Sequence, residues 1–88
     1  MKTAKVRLTN PAGLHARAAA KLVKVASEFE SSVRVGHEKM VDGKSILSLM
    51  MLAAVNGTNL KIEAEGPDEV RAIDALRELV KNGFGEIE

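Results

Sequence analysis

Two stretches of the chain alternate apolar and polar residues one by one, and they constrain what it can fold into. Ala4, Val6 and Leu8 interleave with Lys5, Arg7 and Thr9, and Leu60, Ile62 and Ala64 interleave with Lys61, Glu63 and Glu65. A period of two sends successive side chains to opposite faces, so each stretch predicts a strand with one buried and one wet face. A sheet of such strands needs covering on one side only.

The cover is written in a different period. From Ala16 to Phe29, the residues Ala19, Leu22, Val23, Ala26 and Phe29 recur at three and four, leaving Arg17, Lys21, Lys24 and Glu28 on the other side. A second stripe, Val70, Ile73, Leu76, Leu79 and Val80, follows Gly66-Pro67-Asp68 and ends at Asn82-Gly83. Val33 and Val35 predict a strand. Gly36-His37-Glu38 predicts a tight turn, and Met40 and Val41 complete a hairpin. Gly43-Lys44-Ser45 then precedes a short apolar helix from Ile46 to Ala53, with Leu49 and Leu52 available to the core, and Asn56-Gly57 marks a turn.

The predicted order is therefore β-α-β-β-α-β-α. It describes an α/β (α+β) two-layer open-faced sandwich, with a four-stranded antiparallel sheet covered on one face by three helices. At 88 residues the chain reads as a single domain, 1–88.

Charge and composition exclude several function classes. The formal charge is +1 and the aromatics are Phe29 and Phe84 alone, whereas nucleic-acid binders favour a basic excess and stacking rings. The open sheet face would carry Lys5, Arg7, Lys61, Glu63 and Glu65, which makes an RNA-binding sandwich of similar shape a poor reading. With no cysteine there is no thiol nucleophile, and the composition is compatible with a reducing compartment. Charges at Lys2, Lys5 and Arg7 break the apolar stretch a signal peptide needs. No run approaches the ~20 apolar residues of a membrane span. The expectation is a cytoplasmic monomer that engages neither nucleic acid nor membrane. His37 lies in the hairpin turn and no spacing supplies it with co-ligands, so no metal site and no cofactor are predicted.

The chemistry concentrates where the first strand hands over to the first helix, at Gly13-Leu14-His15-Ala16-Arg17. Unpaired N–H groups and the helix dipole favour an anion there. His15 can accept a phosphoryl group on a ring nitrogen, and the planar fork of Arg17 matches phosphate oxygens. On spacing alone, a solvent-facing histidine with no chemistry, contributing little to the core, stands beside this reading. Ser45 likewise reads first as an ordinary N-cap. Ile46, Leu47 and Met50 are apolar residues with little left to cover them, which marks a partner surface. Arg17, Ala20, Lys24 and Ser27 share one helix face and add a basic rim, or else form a solvated face.

Several segments carry a resemblance. Asn10-Pro11-Ala12-Gly13-Leu14-His15-Ala16-Arg17 resembles the active-site segment of the HPr family, the histidine phosphocarriers of the bacterial phosphoenolpyruvate-dependent phosphotransferase system. Gly43-Lys44-Ser45-Ile46-Leu47-Ser48-Leu49-Met50 is similar to that family's second signature, around a regulatory serine. Gly66-Pro67-Asp68-Glu69 and Asn82-Gly83-Phe84-Gly85-Glu86 also resemble family members, so the likeness spans almost the whole chain.

The resemblance implies a carrier rather than an enzyme. His15 would hold the phosphate, on Nδ1, and Arg17 would stabilise and release it. Ser45 would be the target of an HPr kinase/phosphorylase. Enzyme I would donate the phosphoryl group and enzyme IIA domains accept it, in sugar uptake or in the nitrogen-type regulatory branch. Ala18 departs from the family's usual proline, which preorganises a helix start but supplies no donor or charge. A regulatory interaction module using the same surface without relay is the second reading, and the presence of both His15 and Arg17 speaks against it.

Overall fold

The computed structural model describes residues 1–85. Its elements are β1 (Lys2–Arg7), α1 (Ala16–Ala26), β2 (Ser32–Gly36), β3 (Met40–Asp42), α2 (Ile46–Met50), β4 (Asn59–Glu65) and α3 (Glu69–Lys81). A 3-10 turn, Gly83–Gly85, follows α3. The four strands form one antiparallel sheet in the order β1-β4-β2-β3, the expected open-faced sandwich.

Alternation sets the register. Val6 opposes Leu60, Ala4 opposes Ile62, and Ile62 in turn opposes Val35, so the inward side chains meet across three strands. On the wet face Glu63, Arg34 and Asp42 fall in one row, opposite charges side by side. Helices close the other face with Ala18, Ala19, Leu22 and Ala26 from α1 and Ala72, Ile73, Leu76 and Val80 from α3. Leu49 of α2 and Phe84 are also buried. Each large side chain removed from water here contributes roughly 1.5–3 kcal/mol.

The helices are shorter than the apolar periodicity suggests, and for local reasons. α1 ends at Ala26 instead of Phe29, because Glu28 N–H and Phe29 N–H bond to Val25 and Ala26, three residues back. The following backbone is then captured: Asp68 accepts from the Glu30 and Ser31 N–H groups and from the Ser31 hydroxyl. α2 ends at Met50 instead of Ala53. There too the next bonds reach only three residues back, and Ala53 adopts φ 52, a left-handed conformation that cannot continue a right-handed helix.

Some expected core residues sit further out. Val23, Phe29, Leu52 and Leu79 are half-buried against the core, while Val70 lies off the buried stripe of α3 and is exposed. Leu8 follows β1, yet it is fully buried and continues the ladder through bonds to Thr58 and from Gly57. Of the carboxyl-terminal motif, Glu86 lies outside the described residues.

Candidate functional site

The site is assembled by a turn with little conformational choice. Asn10 closes it twice, its carbonyl accepting from Gly13 N–H at 3.1 Å and its carboxamide donating to Gly13 O at 2.7 Å. Gly13 has φ 66, and a Cβ added there would lie 2.5 Å from Ala54 O, so only glycine passes. Leu14 is buried and its N–H donates to the same Ala54 carbonyl at 2.9 Å.

His15 follows as the N-cap of α1, in extended conformation (φ −85, ψ −178), with its carbonyl accepting from Ala19 N–H. Its Nδ1 accepts from the Arg17 N–H at 3.3 Å. Nδ1 is therefore the ring nitrogen with the lone pair, and in the neutral ring Nε2 bears the proton. The expectation of a histidine that merely faces solvent is corrected: the ring is half-buried and caps the helix. No acidic residue occupies the first turn of α1, so nothing there opposes an anion at that terminus. Arg17 is exposed beside it. Ala18 is fully buried at the third helical position, ahead of the first i→i−4 bond at Ala19, where a proline would break no helical hydrogen bond.

Ser45 caps α2, its hydroxyl accepting from Ser48 N–H at 3.2 Å. Behind it, Lys44 is fixed by its N–H to Asp42 and its Nζ to Phe29 O. α1 and α2 pack side by side, so Ala20 and Lys24, both exposed, lie on a helix adjoining Ile46, Leu47 and Met50. Those three are 42%, 69% and 43% exposed, and Met51 and Val55, at 76% and 65%, extend the apolar surface. The sequence reading missed Met51 and Val55 as surface. The available signal was the apolar run at residues 49–55, longer than the single turn of chain that the core can cover there.

Lys21, expected on the solvated side of α1, instead donates its Nζ to Phe84 O at 2.8 Å and ties the end of the described chain to that helix. His37 remains exposed and lines a cavity of about 350 Å³ with Val41, Ser48, Met51 and Leu52. That cavity includes none of His15, Arg17 or Ser45. Among the described residues no three His, Cys, Asp or Glu side chains cluster in a metal-binding arrangement. No helix among them is long and apolar enough to cross a membrane.

Fold and site define a small protein that presents one histidine at a helix N-terminus beside an exposed apolar patch. The comparisons say which class that is. Residues 2–82 match the family model for the "PTS HPr component phosphorylation site". The phosphocarrier protein HPr of Pseudomonas aeruginosa is 51% identical, with 98% of each chain covered. A crystal structure of HPr from Thermoanaerobacter tengcongensis superposes with a TM-score of 0.95 at 43% identity over 100% of both chains. A dimer of HPr from that organism matches at a TM-score of 0.77 and 44% identity, covering 98% of this chain and 100% of that one. The chain belongs to the HPr family, the phosphocarriers of the phosphotransferase system. Its role is to carry a phosphoryl group, not to turn over a substrate.

Proposed function

We propose that His15 is the phosphoryl acceptor, charged by enzyme I and discharged to enzyme IIA domains, with the whole chain, 1–88, acting as one cytoplasmic, monomeric HPr-like domain. The supporting observation is the Nδ1 lone pair of His15 held against the N-terminus of α1.

In the charging step the Nδ1 lone pair leaves the Arg17 N–H and forms the bond to phosphorus as the donor's bond to phosphorus breaks. The donor leaves with that electron pair. Nε2 keeps its proton, so the phosphorylated ring is cationic and readily gives the group up again. The Arg17 N–H so released can donate to a phosphoryl oxygen, and the helix dipole adds roughly 0.3–1 kcal/mol of stabilisation for the anion. Arg17 supplies a guanidinium fork from the second residue of the helix. Transfer onward reverses the same bonds. An exposed site at a helix terminus can be presented to two proteins in turn, and the Ile46, Leu47 and Met50 surface beside it, rimmed by Ala20 and Lys24, supplies the docking area. Ser45 belongs to the same surface, where phosphorylation by an HPr kinase/phosphorylase would place charge in the middle of it.

Incubation with enzyme I and phosphoenolpyruvate, followed by intact mass measurement with and without acid treatment, tests this reading. An acid-labile gain of one phosphoryl group supports it. A protein that binds enzyme I yet gains no phosphate is the interaction module instead. Transfer from the charged protein to enzyme IIA domains of sugar or nitrogen type then assigns the branch.

A further inference from the structure

Asn56 reads in the sequence as half of a turn signal, but its carboxamide performs a specific task. Nδ2 donates to two backbone carbonyls of the turn that leads to His15, Thr9 O at 3.0 Å and Asn10 O at 3.1 Å. The Asn10 carbonyl is also the acceptor that closes that turn from Gly13 N–H. Around this clamp the two segments are laced by backbone bonds: Leu8 N–H to Thr58 O, Gly57 N–H to Leu8 O, and Leu14 N–H to Ala54 O. The α2–β4 connection is thus the bed on which the His15 turn rests.

A second, independent feature shows that this bed is held firmly. Ala53, immediately before the carbonyl that anchors Leu14, is kept at φ 52. An alanine stays in the left-handed region only where its surroundings over-determine it, and such strain gathers at sites that need fixed geometry. A slack connection would relax it.

We propose that Asn56 is a positioning residue for His15. By holding the Thr9 and Asn10 carbonyls it fixes the turn, so that the step from Leu14 to His15 enters α1 with Nδ1 on the Arg17 N–H. It touches neither the ring nor the phosphoryl group, and acts through backbone. The inference rests on the reading of His15 as the acceptor for its transfer arm, while its effect on the ring can be measured without any transfer.

Two variants test it. Asn56→Asp keeps the shape but sets a carboxylate against two carbonyl oxygens; Asn56→Ser removes the reach and leaves the backbone lacing intact. Two readouts are compared well below each melting temperature: the 15N shifts of the His15 ring across pH, and single-turnover transfer from phosphorylated enzyme I. With the ring loosened from the Arg17 N–H, the share of the Nε2–H tautomer falls towards that of an unconstrained histidine. The first-order transfer rate falls by roughly ten- to a hundredfold, as expected for a misplaced nucleophile, while half-saturation by enzyme I changes little. If the Asp variant does not fold, the Ser variant carries the test. Ring shifts and transfer rates matching the parent, even with a lowered melting temperature, overturn the proposal and leave Asn56 a plain structural latch. Failure of enzyme I to phosphorylate the parent protein would instead defeat the assignment of His15, and the ring shifts would still decide the role of Asn56.

Discussion

The Arg17 N–H donates to Nδ1 of His15 across 3.3 Å, so the residue proposed to carry phosphate is also the cap of α1. The nucleophile and the start of the helix cannot be changed separately by truncation. His15→Ala removes both, and loss of a capping side chain costs about 0.5–2 kcal/mol. For a domain of this size each kcal/mol is worth roughly 4–8 °C in melting temperature. His15→Asn restores a capping oxygen and should recover most of that loss. Neither variant should gain an acid-labile phosphate from enzyme I. Equal melting temperatures for the two would mean that the ring does not cap.

Arg17 is exposed, and its side chain can change without disturbing the core. Arg17→Lys keeps the charge but loses the planar pair of donors. Phosphoryl transfer should slow while the circular dichroism spectrum and melting stay as they were. Transfer at the parent rate would remove the guanidinium from the mechanism.

Acid stability should report on Asp68. Hydrogen bonds from the Ser31 hydroxyl, then from the Glu30 and Ser31 N–H groups, hold its carboxyl down from 3.8 to about 2. A pKa depressed by folding gives stability that is complete above the unfolded value and is lost as pH falls through the folded one. Chemical denaturation of the parent should therefore weaken between about pH 4 and pH 2, through this group among others. Asp68→Asn should be less stable at neutral pH and show a shallower decline over that window. An unchanged slope would mean that the clamp from α3 onto residues 30 and 31 does not form.

Ala53 makes a test in the opposite direction. Glycine meets no penalty at φ 52, whereas a side chain there costs about 1–2 kcal/mol, part of which glycine returns through its greater freedom in the unfolded chain. Ala53→Gly should be more stable by about 0.5–1 kcal/mol. A less stable variant would show that alanine is not strained here.

How much of this was legible in the sequence follows from range. The strand alternation of Val6, Leu60 and Ile62 and the helical stripes through Leu22 and Leu76 are local patterns, and they gave the sheet, its covered face and the element order. The helix starts after His15 and Ser45 were legible because a helix start is local as well. What escaped was settled by contacts distant in sequence. Asp68 captures Ser31, Lys21 reaches Phe84, and Asn56 clamps the carbonyl of Asn10. The end of α2 depended on a left-handed Ala53, which alanine gives no sign of adopting.

Ser45 separates capping from regulation. Its hydroxyl accepts from Ser48 N–H, and Ser45→Ala removes that acceptor, so the five-residue α2 should weaken by roughly 1 kcal/mol. Ser45→Asp restores an acceptor at the same place and adds negative charge at a helix N-terminus, which favours the helix. Stability should therefore recover in the Asp variant. Docking should not, because the charge would stand beside Ile46 and Leu47, which are exposed in the proposed contact surface, against a donor surface expected to be acidic. Melting temperature and the rate of phosphate acceptance from enzyme I are measured for both variants. Under the regulatory reading Asp is the more stable of the two and the slower acceptor, since one substitution moves the two quantities in opposite senses. If Asp accepts phosphate as fast as Ala, charge at this position does not gate docking, and Ser45 is a helix cap and nothing more.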